Sequence, residues 1–91
     1  MFLYRVKVEE LDASRLLTLK DDLARREPSL RAHCPIREMS VVSDENDAGR
    51  ELDIYLALDD VIEAAQLKRL VGELNDVLDA APHVSSELIH I

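Results

Sequence analysis

The chain has 91 residues, 47% hydrophobic and 33% charged, with a formal net charge of -8. That length and balance describe one packed domain spanning 1–91 and exclude a disordered chain. The excess of acid argues against nucleic acid or an anionic membrane as partner and suits a basic protein or plain solvation.

The remaining composition narrows the picture. Phe2, Tyr4 and Tyr55 are the three aromatic residues, so the core must be built from Leu, Val, Ile and Ala. A single cysteine forms no internal disulfide and leaves the redox compartment open. MFLYRVKVEE carries Arg5 and Lys7 with no long apolar run behind them, unlike a signal peptide, and no stretch approaches the roughly 20 apolar residues of a membrane helix. The expectation is a cytoplasmic protein. Eight arginines against three lysines fit a GC-rich bacterial genome.

Phe2 to Val8 alternates, with Phe2, Tyr4, Val6 and Val8 on one face and Leu3, Arg5 and Lys7 on the other: a half-buried strand. Asp12 is placed to N-cap a helix, with Leu11 and Leu16 in the staple positions. Leu16, Leu19 and Leu23, flanked by Leu17 and Ala24, form its apolar stripe, and Pro28 is expected to end it.

RAHCPIREM, from Arg31 to Met39, joins this helix to the next strand, expected over about Arg37 to Ser43. Met39 and Val41 should face one way, Ser40 and Val42 the other. Ser43 to Gly49 reads as a polar turn. RELDIYLALDD follows as the clearest strand, with Leu52, Ile54, Leu56 and Leu58 inward and Glu51, Asp53, Tyr55 and Ala57 outward. Strand, glycine-containing turn and strand make a hairpin.

Asp60 and Glu63 have capping-box spacing and open a second helix carrying Leu67, Leu70, Val71, Leu74, Val77, Leu78 and Ala81. Gly72 inside it implies a close contact or tolerance of about 1 kcal/mol. VSSELIHI, from Val84 to Ile91, is the last strand. The order β-α-β-β-α-β predicts an α+β ferredoxin-like sandwich, a four-stranded antiparallel sheet with two helices on one face.

Several chemistries fit these residues only in part. Asp44, Asn46 and Gly49 partly match a calcium loop, but Ala48 and Tyr55 stand where oxygen ligands belong, so a hairpin turn is the better reading. His33, Cys34, His83 and His90 lack zinc-site spacing. No catalytic constellation, cofactor or metal is expected. Cys34 could be a reactive thiol, with His33 as base and Arg31 and Arg37 as field. In an extended chain, however, His33 would point away from its neighbour, and a buried apolar Cys34 is the expectation.

The outer sheet face remains. With the first and third strands central, it would carry Leu3, Arg5, Lys7, Asp53, Tyr55 and Ala57, joined by Val42 and Leu88 from the edges. Mixed apolar and charged groups there suggest a partner surface, unless Arg5 and Lys7 merely pair with Asp53 and Glu51. The first expectation is a non-enzymatic protein-binding module, homodimeric through this face or through the C-terminal edge strand. An acidic inhibitor or immunity-type protein is a special case, with Asp44, Glu45 and Asp47 contacting a basic partner.

The element order, with the closing stretch LNDVLDAAPHVSSELIHI, resembles small amino-acid-binding regulatory domains of the ACT type. That resemblance implies a ligand held at a glycine-containing turn after the first strand, where this chain has Glu9-Glu10-Leu11-Asp12. The same order suits dimeric α+β barrel enzymes, and either alternative would use a pocket near Cys34, His33 and Tyr4.

Overall fold

Alternation in the first strand is realised over β1, Phe2–Leu11, whose Tyr4, Val6 and Val8 are buried. The computed structural model describes residues 1–46, 49–78 and 83–91. After β1 come α1 (Ala13–His33), β2 (Ile36–Asn46), β3 (Gly49–Leu58), α2 (Ala64–Val77) and β4 (His83–His90). Every neighbouring strand pair is antiparallel, and the sheet order is β2-β3-β1-β4. Both helices pack together on one face of the sheet, leaving the other face open.

Asp12 caps α1, its side chain accepting from the Arg15 amide at 2.7 Å. Pro28 does not end this helix. The chain remains helical to His33 because Leu30 continues the stripe of Leu19 and Leu23, and all three are fully buried. Burying a leucine stabilises by about 1.5–3 kcal/mol, enough to carry the helix through a missing N–H. His33 thus sits in the last helical turn, and Cys34 is the C-cap.

The hairpin also departs from expectation. Ser43 to Asn46 belong to β2, paired with Leu52 to Gly49, so the expected polar turn is largely strand. Asp47 and Ala48 lie outside the described residues, as does Ala81 on the expected α2 stripe. Gly49 has φ 127°, a backbone region that L side chains rarely adopt.

At α2 the cap shifts by three residues. Glu63 is the N-cap, its amide donating to Gln66 Oε1 at 2.9 Å. Asp60 is instead in the preceding turn, where the Met1 ammonium and His90 meet its carboxylate. The Met1 ammonium and His90 thus take the carboxylate that the spacing had offered to the helix amides. Leu70, Leu74 and Val77 bury the inner stripe of α2. A Cβ on Gly72 would touch nothing within 4 Å, so that glycine is tolerated and not required by packing.

The core lies between helices and sheet. Leu52, Ile54, Leu56 and Leu58 of β3 face it with full burial, alongside Ile36 and the β1 residues. Across the helices, Glu73 of α2 meets Arg26 at 3.7 Å and His33 at 3.2 Å. Among the described residues no helix is long and apolar enough to cross a membrane.

Candidate functional site: the open sheet face

Strand register composes the open face in rows. Glu38, Ala57, Leu3 and Ile89 lie side by side across the four strands; Ser40, Tyr55, Arg5 and Glu87 form the next row; Val42, Asp53, Lys7 and Ser85 the third. Paired residues share a face, so these rows follow from the ladders alone.

Six outward positions of the central strands, Leu3, Arg5, Lys7, Asp53, Tyr55 and Ala57, are where alternation put them, and Val42 joins them from β2. Leu88 does not. It pairs with Tyr4, which is buried against the helices, so Leu88 faces the helix side and Ile89 takes the outward place beside Leu3. A one-residue offset moves a whole strand to the other face. Glu38, Ser40, Ser85, Glu87 and Ile89 were missed. The charge match of Arg5 with Glu87 is the sequence signal that would have found β4's register.

The charges engage one another only in part. Lys7 Nζ lies 3.0 Å from Glu51 and 3.8 Å from Glu9, while Arg5 reaches Glu87 at 3.5 Å and covers the Tyr55 ring at 5.6 Å. The hydrogen bond to Glu51 raises the Lys7 pKa above its ordinary value. Arg5 thus goes to β4 and not to Asp53. Asp53 is 8% exposed, and its Oδ1 and the Arg5 Nε are both buried without a hydrogen-bond partner. Burial, then the neighbouring Glu51 charge, pushes the Asp53 carboxyl above its ordinary pKa, against opposing pulls from Arg5 and Lys7.

Two shallow depressions mark the face. One, about 300 Å³, is lined by Leu3, Glu38, Ser40, Val42, Tyr55 and Ala57; the other, about 240 Å³, by Arg5, Lys7, Ser85, Ser86 and Glu87. Both are open to solvent.

Within the RAHCPIREM stretch the cysteine is closed off from solvent. Cys34 is 3% exposed and Tyr4 is buried with it in the core. Burial pushes the Cys34 thiol up, opposite to the depressed pKa of a reactive cysteine. Arg31 is held by the Ile36 carbonyl at 3.1 Å and by Glu27, Arg37 by Asp59 at 3.5 Å, and His33 by Glu73. Each candidate activator of the thiol is bound to an acid or a carbonyl.

Of the acidic contact residues, Asp44 and Glu45 are exposed on β2, with Glu45 3.6 Å from Arg50; Asp47 lies outside the described residues. No group of three or more His, Cys, Asp or Glu gathers at metal-binding range among the described residues. Where a glycine-containing turn would hold an effector, β1 carries a bulge between Val8 and Leu11, and Glu10 adopts φ 58°.

No family model matches the chain, and no curated protein matches it. Solved structures do. A dimeric ferredoxin-like protein from an uncultured marine organism aligns over 97% of this chain and 92% of its own, with TM-score 0.65 and 9% identity. A protein of Deinococcus radiodurans, described as a candidate antibiotic biosynthesis monooxygenase, aligns over 100% and 92% with TM-score 0.70 and 14% identity. The chain has a ferredoxin-like fold. The de novo designed protein Foldit4 shares that fold at TM-score 0.61 and 12% identity, over 99% of this chain and 94% of its own. At these identities the likeness concerns architecture, and function must be argued from the ferredoxin-like chain's own surface.

Proposed function

We propose that this chain is a non-enzymatic protein-binding module that forms a homodimer by stacking two sheets on their open faces. One observation carries the reading: Leu3, Val42, Ala57 and Ile89 set apolar groups among Arg5, Lys7, Tyr55 and Asp53 on a sheet face that neither helix covers.

The rows are self-complementary. Arg5 and Lys7 form a basic column on β1, next to Tyr55 and Asp53 on β3. A twofold axis running along the strands, above the gap between β1 and β3, sets each basic column over the partner's Tyr55 and Asp53. Leu3, Ala57 and Ile89 add apolar area at one end of the same face. The dimeric state of one structural neighbour supports this reading by analogy of fold.

Light scattering at micromolar concentration tests it. The expected mass is twice the 10.3 kDa of the chain. Lys7→Glu should return the chain to monomer by placing acid over acid, and Lys7→Glu with Asp53→Lys should restore the dimer. A wild-type chain that stays monomeric overturns the proposal.

A further inference from the structure

The two edges of the sheet are built differently. β2 carries a register shift between Ile36 and Glu38 and the charged residues Arg37, Glu38, Asp44 and Glu45. Bulges and charges on an edge keep other strands from adding to it. β4 pairs with β1 without a break from His83 to His90 and contains no proline or lysine. Its single acidic residue, Glu87, is already met by Arg5. All eight of its residues are exposed, and no other strand of the described residues lies beside it.

The side chains along this edge favour one kind of occupant. On the helix side Val84 and Leu88 are 42% and 44% exposed, and Leu88 shares an apolar depression of about 230 Å³ with Phe2, Ile62 and Leu67. Glu10 stands 2.6 Å from His83, so a carboxylate flanks that end of the strand, whereas Asp60 at the other end, 3.4 Å from His90, is already met by the Met1 ammonium. We propose that β4 is a docking edge for an extended segment of another protein, apolar at alternate positions and basic at the end that lies beside His83 and Glu10, which adds as a fifth strand. Main-chain hydrogen bonds would hold the segment, and alternate side chains would select it.

A second copy fits less well, a point that rests on the sheet-face dimer proposed above. Two different twofold contacts whose axes do not meet build an open-ended filament and not a closed particle.

The test titrates a synthetic peptide of about nine residues, a normal strand length, into the isotope-labelled full chain. The peptide alternates valine and threonine and carries a lysine at the end set beside His83 and Glu10. Amide shifts and slowed hydrogen exchange are expected along His83 to His90. Val84→Lys and Leu88→Lys should each weaken binding by at least about tenfold, and so should glutamate in place of the terminal lysine. A peptide with alternate backbone nitrogens methylated should not bind. Three results would overturn the proposal: no response along β4, a response on β2 instead, or β4 protection in the free protein that grows with its own concentration. Lys7→Glu leaves β4 intact and should bind the peptide undiminished, so a failure of the face dimer is read separately.

Discussion

Lys7 of β1 and Glu51 of β3 meet across the open sheet face at 3.0 Å. This pair links the two central strands at the edge of the row that holds Asp53. Because the hydrogen bond to Glu51 raises the Lys7 pKa in the folded state, its stabilising contribution is complete below the unfolded value of about 10.4. It is lost as pH rises through the higher folded value. The urea midpoint of wild type should exceed that of Glu51→Gln near neutral pH by a margin that shrinks as pH rises through the Lys7 titration. Parallel curves would show that the pair adds nothing.

Asp53 titrates in the opposite sense to an ordinary salt-bridged carboxylate. Its folded pKa is raised, so it favours the fold below the unfolded carboxylate pKa and loses that contribution as pH rises through the folded one. Asp53→Asn should therefore stabilise the isolated chain at pH 7, by a margin that narrows on acidification. The same substitution should weaken the dimer about tenfold, as it removes the charge facing the partner's Lys7. Denaturation of a monomeric background and sedimentation of the intact dimer separate the two effects.

Cys34 should behave as a core residue. Alkylation by iodoacetamide at pH 8 should run at least about 100-fold slower in the native chain than in urea, because the thiol reacts only on opening. Cys34→Ser should cost about 1–3 kcal/mol through a buried hydroxyl. A native rate equal to the unfolded one would place the thiol at the surface.

Two helix positions carry removable cost. Gly72→Ala should stabilise by about 1 kcal/mol, since the added Cβ meets open space. Pro28→Ala should raise stability by about 2 kcal/mol, as it returns a backbone donor to the interior of α1, less the entropy regained by the unfolded chain. Gly49→Ala should act oppositely, costing more than about 1 kcal/mol at its φ of 127°. Thermal melts of the three variants check the signs.

Much of the site is legible in the sequence. The outward positions of β1 and β3 follow from strict alternation between Leu52 and Leu58 and between Phe2 and Val8, where buried and exposed residues differ in polarity. β4 was not legible in this way. Its Val84 and Leu88 face one side and Ile89 the other, and all are exposed, so hydropathy carries no register. The Arg31 to Met39 stretch misled for another reason: residue types suggest reactivity, while burial of Cys34 and the ion pairs of its neighbours remove it.

Local chemistry in the chain determined the element order, the Asp12 cap, the inner and outer faces of the central strands and hence the ferredoxin-like class. Those features depend on near neighbours and on periodicity, which a linear sequence contains in full. Contacts between distant residues decided the rest. Burial of Leu30 carried α1 past Pro28, Met1 and His90 drew Asp60 away from α2, and pairing with Tyr4 turned Leu88 inward. Each is a competition settled only when remote parts of the chain meet, so tertiary structure alone set which edge and which face lie open.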